Sequence, residues 1–531
     1  MISLIRRTAI TILLGFWVVA GAALGQTPGG TLRFYHRDNP PSASIHEEAT
    51  ISTAQPFMPV FNNLIVFNQH TERNSPDDIV AELATHWEWT ADRTRLTLRL
   101  REGVKWHDGK PFTSADVKCT WDTVTGRRNA GWRKSPRRGW YTNLREVVTN
   151  GEHEVTFVLG RPQPSFMNFL SSGLSPVYPC HVDGRAMRQK PIGTGPFRVV
   201  EFRPNTGVQL ARNPDYWRPD RPYLDGIDYR IIRSRSTRIL AFVAGEFDIT
   251  FPYDVTIPLV RDIRAQAPTA QCEIKPTNVA NQLLINREVA PFDNPAVRRA
   301  LALAIDRQAF IDIMSEGQFA MGGVMLPPPH GSWGLSRDDM TDIPGYGRDV
   351  EKNREEARRI MRELGYSAER PLRIKVATRE IPSYRDPAVI MIDHLKSIFI
   401  EGQLEIMDTS VWYATMTRRN FSIAMNQSGM GIDDPDVAFY EGFACGGERN
   451  YENYCNKDIE RRVEEQSATL DPEARRHLVR EIDIEIQRDI GRPVFYHTTG
   501  GTCWYPHVRG ITIGVNSIYS HSRMEDAWLA R

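Results

Sequence analysis

The sequence predicts an α/β protein of two or more lobes, and three observations carry that reading. Its 531 residues are too many for one hydrophobic core. Between residues 96 and 121 a period-2 strand passes through two glycine turns into a helix, and such alternation of short strands and helices continues to about Tyr253. Between residues 372 and 407 a strand, a helix and a second strand follow one another, the order that builds a parallel sheet with a crossover of the usual hand.

Taken in order, the first 25 residues stand apart. Arg6 and Arg7 precede an apolar run from Thr8 to Ala20, and Ala23-Leu24-Gly25 forms a small-residue cleavage site before Gln26, the pattern of an export signal. The run is short for a membrane span, which needs about 20 residues. With no cysteine at the cleavage site there is no lipid attachment point, so the mature chain is expected to be free in a bacterial periplasm.

Leu96, Leu98 and Leu100 alternate with Thr97 and Arg99, as on a half-buried strand. Gly103 and Asp108-Gly109 supply turns, and Thr113 with Asp116 three residues on forms a capping box, so a helix begins at Ser114 with Val117 and Trp121 inward. After Cys272 a new unit opens. Asn294-Pro295 starts a helix carrying Val297, Ala300, Leu301, Ala304 and Ile305, with further helix through Phe310 and Ile313 to Gly317. Pro327-Pro328-Pro329 is a stiff connector. Helix 355–364 ends at Gly365, strand 372–377 follows, then helix 388–399 and strand 404–407.

Composition narrows the function. With 66 basic against 65 acidic side chains there is no field to draw in nucleic acid or an anionic membrane. Arg127, Arg128, Arg133, Lys134, Arg137 and Arg138 crowd one stretch with Trp132, Trp140 and Tyr141; given the neutral overall charge this reads as a solvated loop. The phosphate-loop, zinc-helix and nucleophile-elbow motifs are all absent. Gly193-Thr194-Gly195 precedes Pro196, which lacks a backbone donor, and reads as a structural turn. The 13 histidines are dispersed. No catalysis, cofactor or metal is expected.

Spelled LTLRLREGVKWHDGKPFTSADVKCTW, the stretch from Leu96 resembles the signature of the peptide-type (family 5) solute-binding proteins of ABC importers. PIGTGPFRVVEF, LARNPDYW, RPYLDGIDY, AFVAGEFDI, PFDNPAVRRALALAIDR and GIDDPD resemble the family's later blocks, in order. The resemblance implies a two-lobed periplasmic binding protein fold of the cluster C type. An extra subdomain is inserted in the first lobe, and two crossing segments form the hinge, near 282–286 and 494–499. It divides the chain into residues 26–282, 283–497 and a C-terminal return over 498–531. It also implies a monomer that captures a peptide or peptide-like solute and delivers it to inner-membrane permease subunits. A receptor for an opine, sugar conjugate or metal chelate is the alternative, and a periplasmic hydrolase a more distant one.

The family's ligand-contacting loop corresponds to Ser428 through Asp436. The aspartate that pairs with a peptide's amino terminus in peptide-binding members falls at Gly431, and the pocket tryptophan at Ser428. Met425 stands where some members carry an arginine. A zwitterionic peptide held in the usual way therefore lacks its partners, and an unpaired charge in a water-poor cleft is costly. The candidate ligand contacts are Asn426, Ser428, Met430, Gly431, Asp433 and Asp434, with Trp412 and, at the cleft mouth, His46 and Glu47. Asp433 and Asp434 are equally read as turn and capping residues. Export makes the six cysteines candidates for disulfides. Cys445 and Cys455 flank a glycine-rich loop, and similar pairs in relatives imply a bridge there. Cys119 lies on the inward face of its helix as a small core residue, while Cys180, Cys272 and Cys503 stay unassigned.

Overall fold

The computed structural model describes residues 26, 28–128 and 131–530, so the export signal lies outside the described residues. Three sheets organise the chain. In the first lobe the strand Thr31–His36 pairs in parallel with Gly226–Ile231, which continues antiparallel through Gly207–Arg212 to Phe197–Arg203. Within this lobe a second four-stranded sheet, wholly antiparallel, runs Ala84–Trp89, Arg95–Leu100, Glu154–Leu159, Leu144–Thr149. Leu96, Leu98 and Leu100 point into its core as their alternation requires. The helix Ser114–Val124 packs on it, and the Asp116 carboxylate returns to the Thr113 backbone N–H at 3.0 Å to close the capping box.

The third sheet has the order Ile400–Met407, Leu372–Arg379, Ile423–Gly429, Gln271–Ile285, Val494–Trp504. Its first three strands are parallel and form the second lobe, with the helix Pro382–Lys396 between the outer two. That helix and strand Ile400–Met407 begin earlier than expected, because Pro382 at the first turn suits a helix start and Pro387 does not interrupt it. The last two strands are the crossing segments. They run antiparallel from the Gln271↔Trp504 pair to Gln282↔Val494. Bridges from Phe34 to Ile249 and from Ile249 to Trp504 tie them to the first lobe's sheet, so one continuous hydrogen-bonded surface links the lobes.

The ladder between them breaks at Pro276–Ala280, where Pro276 has no N–H to donate and Asn278 takes a left-handed φ of 48°. The break lies earlier than the expected crossing at 282–286. The second lobe's core gathers Leu283, Leu301, Phe310, Val376, Met391 and Phe495. The helices Pro435–Gly442, Lys457–Ala468 and Pro472–Arg488 instead share the first lobe's core through Phe439, Val463 and Ile482.

Three disulfides join Cys119 to Cys180, Cys272 to Cys503 and Cys445 to Cys455. Cys119 is thus no simple core residue: its helix packs beside the Cys180 loop, whose backbone N–H donates to Asp116 at 2.8 Å. The basic stretch is solvated at Arg127, Arg133, Lys134 and Arg138, as expected, but not throughout. Arg137 is buried, donating to the carbonyls of Ile45 and Glu48, and Arg128 reaches the Cys180 carbonyl at 2.8 Å. Gly193 and Gly195 are structural, because a Cβ at 193 would stand 1.9 Å from the Val60 carbonyl oxygen. No described helix is long and apolar enough to cross a membrane.

Candidate functional site

A cavity lies between the lobes, directly over the broken ladder. Its floor is Thr277, Val279, Tyr496 and Thr498 of the crossing strands. The first lobe contributes Arg37, Thr50, Arg235, Tyr253 and Asp254, and the second Ser383, Tyr384, Tyr413, Gln427 and Gly429, while Tyr519 of the C-terminal segment closes one side. The space between these walls, counting the open mouth, is about 950 Å³.

The lobes meet at a buried ion pair. Asp38 follows the first strand and Arg379 ends strand Leu372–Arg379, their side chains approaching at 2.9 Å with 9% and 1% exposure. Thr409 donates to the same carboxylate oxygen at 2.7 Å and Ser52 to the other at 2.6 Å. Burial pushes the Asp38 carboxyl up, but Arg379, with His36 and Arg37 near, holds it below the usual range. At the mouth, Arg233 spans to Glu380 and Asp408.

Within the cavity wall Asp254 is saturated. Arg238 grips it in bidentate fashion at 2.7 and 3.1 Å, and Tyr35 donates to it at 3.4 Å. Arg37 and Arg235 make no hydrogen bond to any described residue, and the Nε of each is buried without a partner. The hydroxyl of Tyr496 is likewise buried and unpartnered.

None of the expected ligand contacts lines this cavity. Strand Ile423–Gly429 sends Gln427 and Gly429 to the cavity, so Asn426 and Ser428 project to the opposite face, where Gln282 donates to Ser428. Met430 lies in the first lobe's core. At Gly431 a Cβ would meet Leu174 at 2.9 Å and Ser172 at 3.1 Å, so this position packs closely on the first lobe. Asp433 accepts from the Ser332 N–H at 2.9 Å, its carboxyl raised to about 6 by burial. Asp434 caps helix Pro435–Gly442 and pairs with Arg475 at 2.8 Å, which is the capping reading. Trp412 is a core residue beside Met416 and Phe421, and its neighbour Tyr413 faces the cavity. His46 bonds the Pro176 carbonyl at 2.7 Å and Glu47 pairs with Arg188 at 2.8 Å, both inside the first lobe. Sequence reasoning missed Arg37, Arg235, Tyr253, Gln427 and Tyr496. Only Gln427 had a local signal, the alternation along its strand.

A clamshell of two α/β lobes on a pair of crossing strands, closed over one cavity, defines a solute-binding architecture. The model for bacterial extracellular solute-binding proteins, family 5, middle region, matches residues 78–450, and the chain belongs to that family. The di/tripeptide-binding protein 2 of Pseudomonas aeruginosa is 25% identical over 452 residues, covering 80% of this chain and 81% of the relative. Among solved structures, Haemophilus influenzae OppA in complex with the peptide RPPGFSPFR superposes with a TM-score of 0.84 at 18% identity, over 96% of this chain and 100% of its own. AgaA from A. tumefaciens R10 in complex with agropinic acid gives 0.81 at 21% identity, over 94% and 99%. These structures establish the shared fold.

Proposed function

We propose that this chain is the capture component of an ABC importer, an exported and monomeric periplasmic protein that binds a peptide or peptide-like solute between its lobes and presents the closed form to an inner-membrane permease. The observation that carries the reading is the cavity walled by both lobes and floored by the crossing strands. A ligand touching both walls favours the closed population, and rotation at Pro276–Ala280 opens it. Micromolar capture needs about −8 kcal/mol, within reach of a few charge-assisted bonds plus aromatic contact. The reading requires no cofactor and no chemistry on the solute. The names of the relatives support a peptide-like ligand.

A second reading, a non-peptide solute, is favoured by the saturation of Asp254 and the packing of Gly431, which leave no carboxylate for a peptide ammonium. Native mass spectrometry of the mature protein purified from periplasm tests both. Short peptides released on denaturation support the first, one defined non-peptide mass the second. A protein that neither carries nor binds any small molecule sinks the capture reading.

A further inference from the structure

Arg37 and Arg235 pose a problem that the capture reading alone leaves open. A guanidinium offers five N–H donors and no acceptor. A buried one without hydrogen bonds is costly. Here two line one cavity wall, with side-chain exposures of 10% and 22%; the Nε of each is buried and unpartnered. Arg37 is 3.8 Å from the nearest oxygen of Asp254 and 4.0 Å from Asp38, beyond hydrogen-bond range, and both carboxylates are already held by Arg238 and Arg379. Its guanidinium rests 4.9 Å from the centre of the Phe251 ring, which fixes its plane and leaves its N–H edge free. Arg235 is 3.9 Å from Asp386, a carboxylate 37% exposed to water and already bound by Arg385. Burial and the neighbouring Arg238 and Arg37 lower the Arg235 pKa.

The backbone adds to the same field. Arg235 is the first residue of helix Arg235–Val243, where the helix dipole opposes a cation. Helix Ile257–Gln266 also begins at the cavity wall, with Thr256 and Ile257 in the lining and no side-chain cap on its first N–H groups. Asp254 is the one carboxylate in the lining. The wall therefore holds an excess of positive charge, with donors in waiting and, among the described lining residues, no free carboxylate for a ligand cation. The second lobe's wall adds Tyr384 and Tyr413, and the floor Tyr496.

We infer that Arg37 and Arg235 form the anion-binding subsite of this cavity, and that the solute is a carboxylate-bearing molecule with net negative charge, its uncharged body lying against the tyrosines. This rests on the capture reading and narrows it. The planar forks suit a carboxylate in bidentate geometry, and the acid displaces no existing protein bond because neither arginine has one to lose.

The test uses three probes that share side chains and differ in charge: N-acetyl-Ala-Tyr, Ala-Tyr and Ala-Tyr amide. Each is titrated calorimetrically into the full mature protein and into its Arg37→Gln, Arg235→Gln and double variants. The acetylated acid should bind tightest, and each single substitution should weaken it by about ten- to hundredfold. Binding of the amide, a cation, should not weaken and should if anything strengthen as the positive charge of the wall is removed. Because the arginines hydrogen-bond no described protein group, the glutamine variants should keep the wild-type circular dichroism and unfold no earlier than wild type, and Arg261→Gln, at the surface, serves as control. The proposal is overturned if the amide or the zwitterion binds as tightly as the acid, or if the double variant keeps the acid's affinity. The solute released from wild-type protein separates the two levels of the reading. A neutral or cationic solute, or one retained by the double variant, refutes the anion subsite and leaves capture standing. If no solute is released and no probe binds at millimolar concentration, both fall.

Discussion

Replacing Asp38 with alanine should cripple closure while sparing the fold. In the closed form Arg379 is buried at the lobe interface and Asp38 is its only anionic partner among the described residues. Removing one member of a buried pair typically costs about 3–5 kcal/mol, because the other is left charged and dry. The lower end applies, since Arg379 also donates to Tyr384 at 2.9 Å and to Thr409 at 2.7 Å and lies 4.5 Å from the Tyr384 ring centre. When the lobes part, water replaces Asp38 around the guanidinium, so the penalty falls on the closed state alone. Ligand binding is coupled to closure, and about 3 kcal/mol becomes a loss of about 150-fold in affinity. Calorimetry with the solute released from wild-type protein measures this, and small-angle scattering follows the radius of gyration with and without it. The double variant Asp38→Ala/Arg379→Met, which leaves no charge buried, should recover most of the loss. An unchanged affinity would refute the latch. So would a fall in the ligand-free thermal midpoint large enough to account for the loss, since the pair would then hold a lobe together instead of holding two lobes closed.

Three further outcomes follow from the packing. Gly431→Asp should lower stability by about 2–4 kcal/mol in urea unfolding and bring no gain in peptide binding, because the new carboxylate would be forced against Leu174 and Ser172. Asp483 accepts from the Val324 N–H at 2.8 and 2.9 Å, and burial raises its carboxyl to about 7. The folded state therefore holds its proton more tightly than the unfolded chain, and the contribution of Asp483 to stability should fall as pH rises from about 4 to about 7. In Asp483→Asn that slope should flatten, with the variant gaining about 2–3 kcal/mol on wild type between pH 5 and 8, read from urea midpoints. Cys272→Ala/Cys503→Ala opens a bridge spanning 231 residues and should cost about 5.5 kcal/mol by the chain-entropy argument, measured by calorimetric unfolding.

Local pattern alone determined much of this molecule. The alternating leucines of strand Arg95–Leu100, the Thr113–Asp116 capping box, the strand–helix–strand order of residues 372–407 and the capping role of Asp434 all depend on neighbours a few residues apart. The ordered blocks along the chain likewise carried its family membership. The site was decided elsewhere. Alternation says that residues 426 and 428 share one face and 427 and 429 the other, but not which face meets the cavity, and a one-residue error in phase exchanges the whole set. The Cys119–Cys180 and Cys272–Cys503 pairs, and the burial of Arg137, join segments far apart in sequence. Arg37, Arg235, Gln427 and Tyr496 come from four distant segments and lack any common motif. They become one site only because two lobes close over a pair of crossing strands, and a charge shows itself as unpaired only once every other partner in the folded chain has been placed.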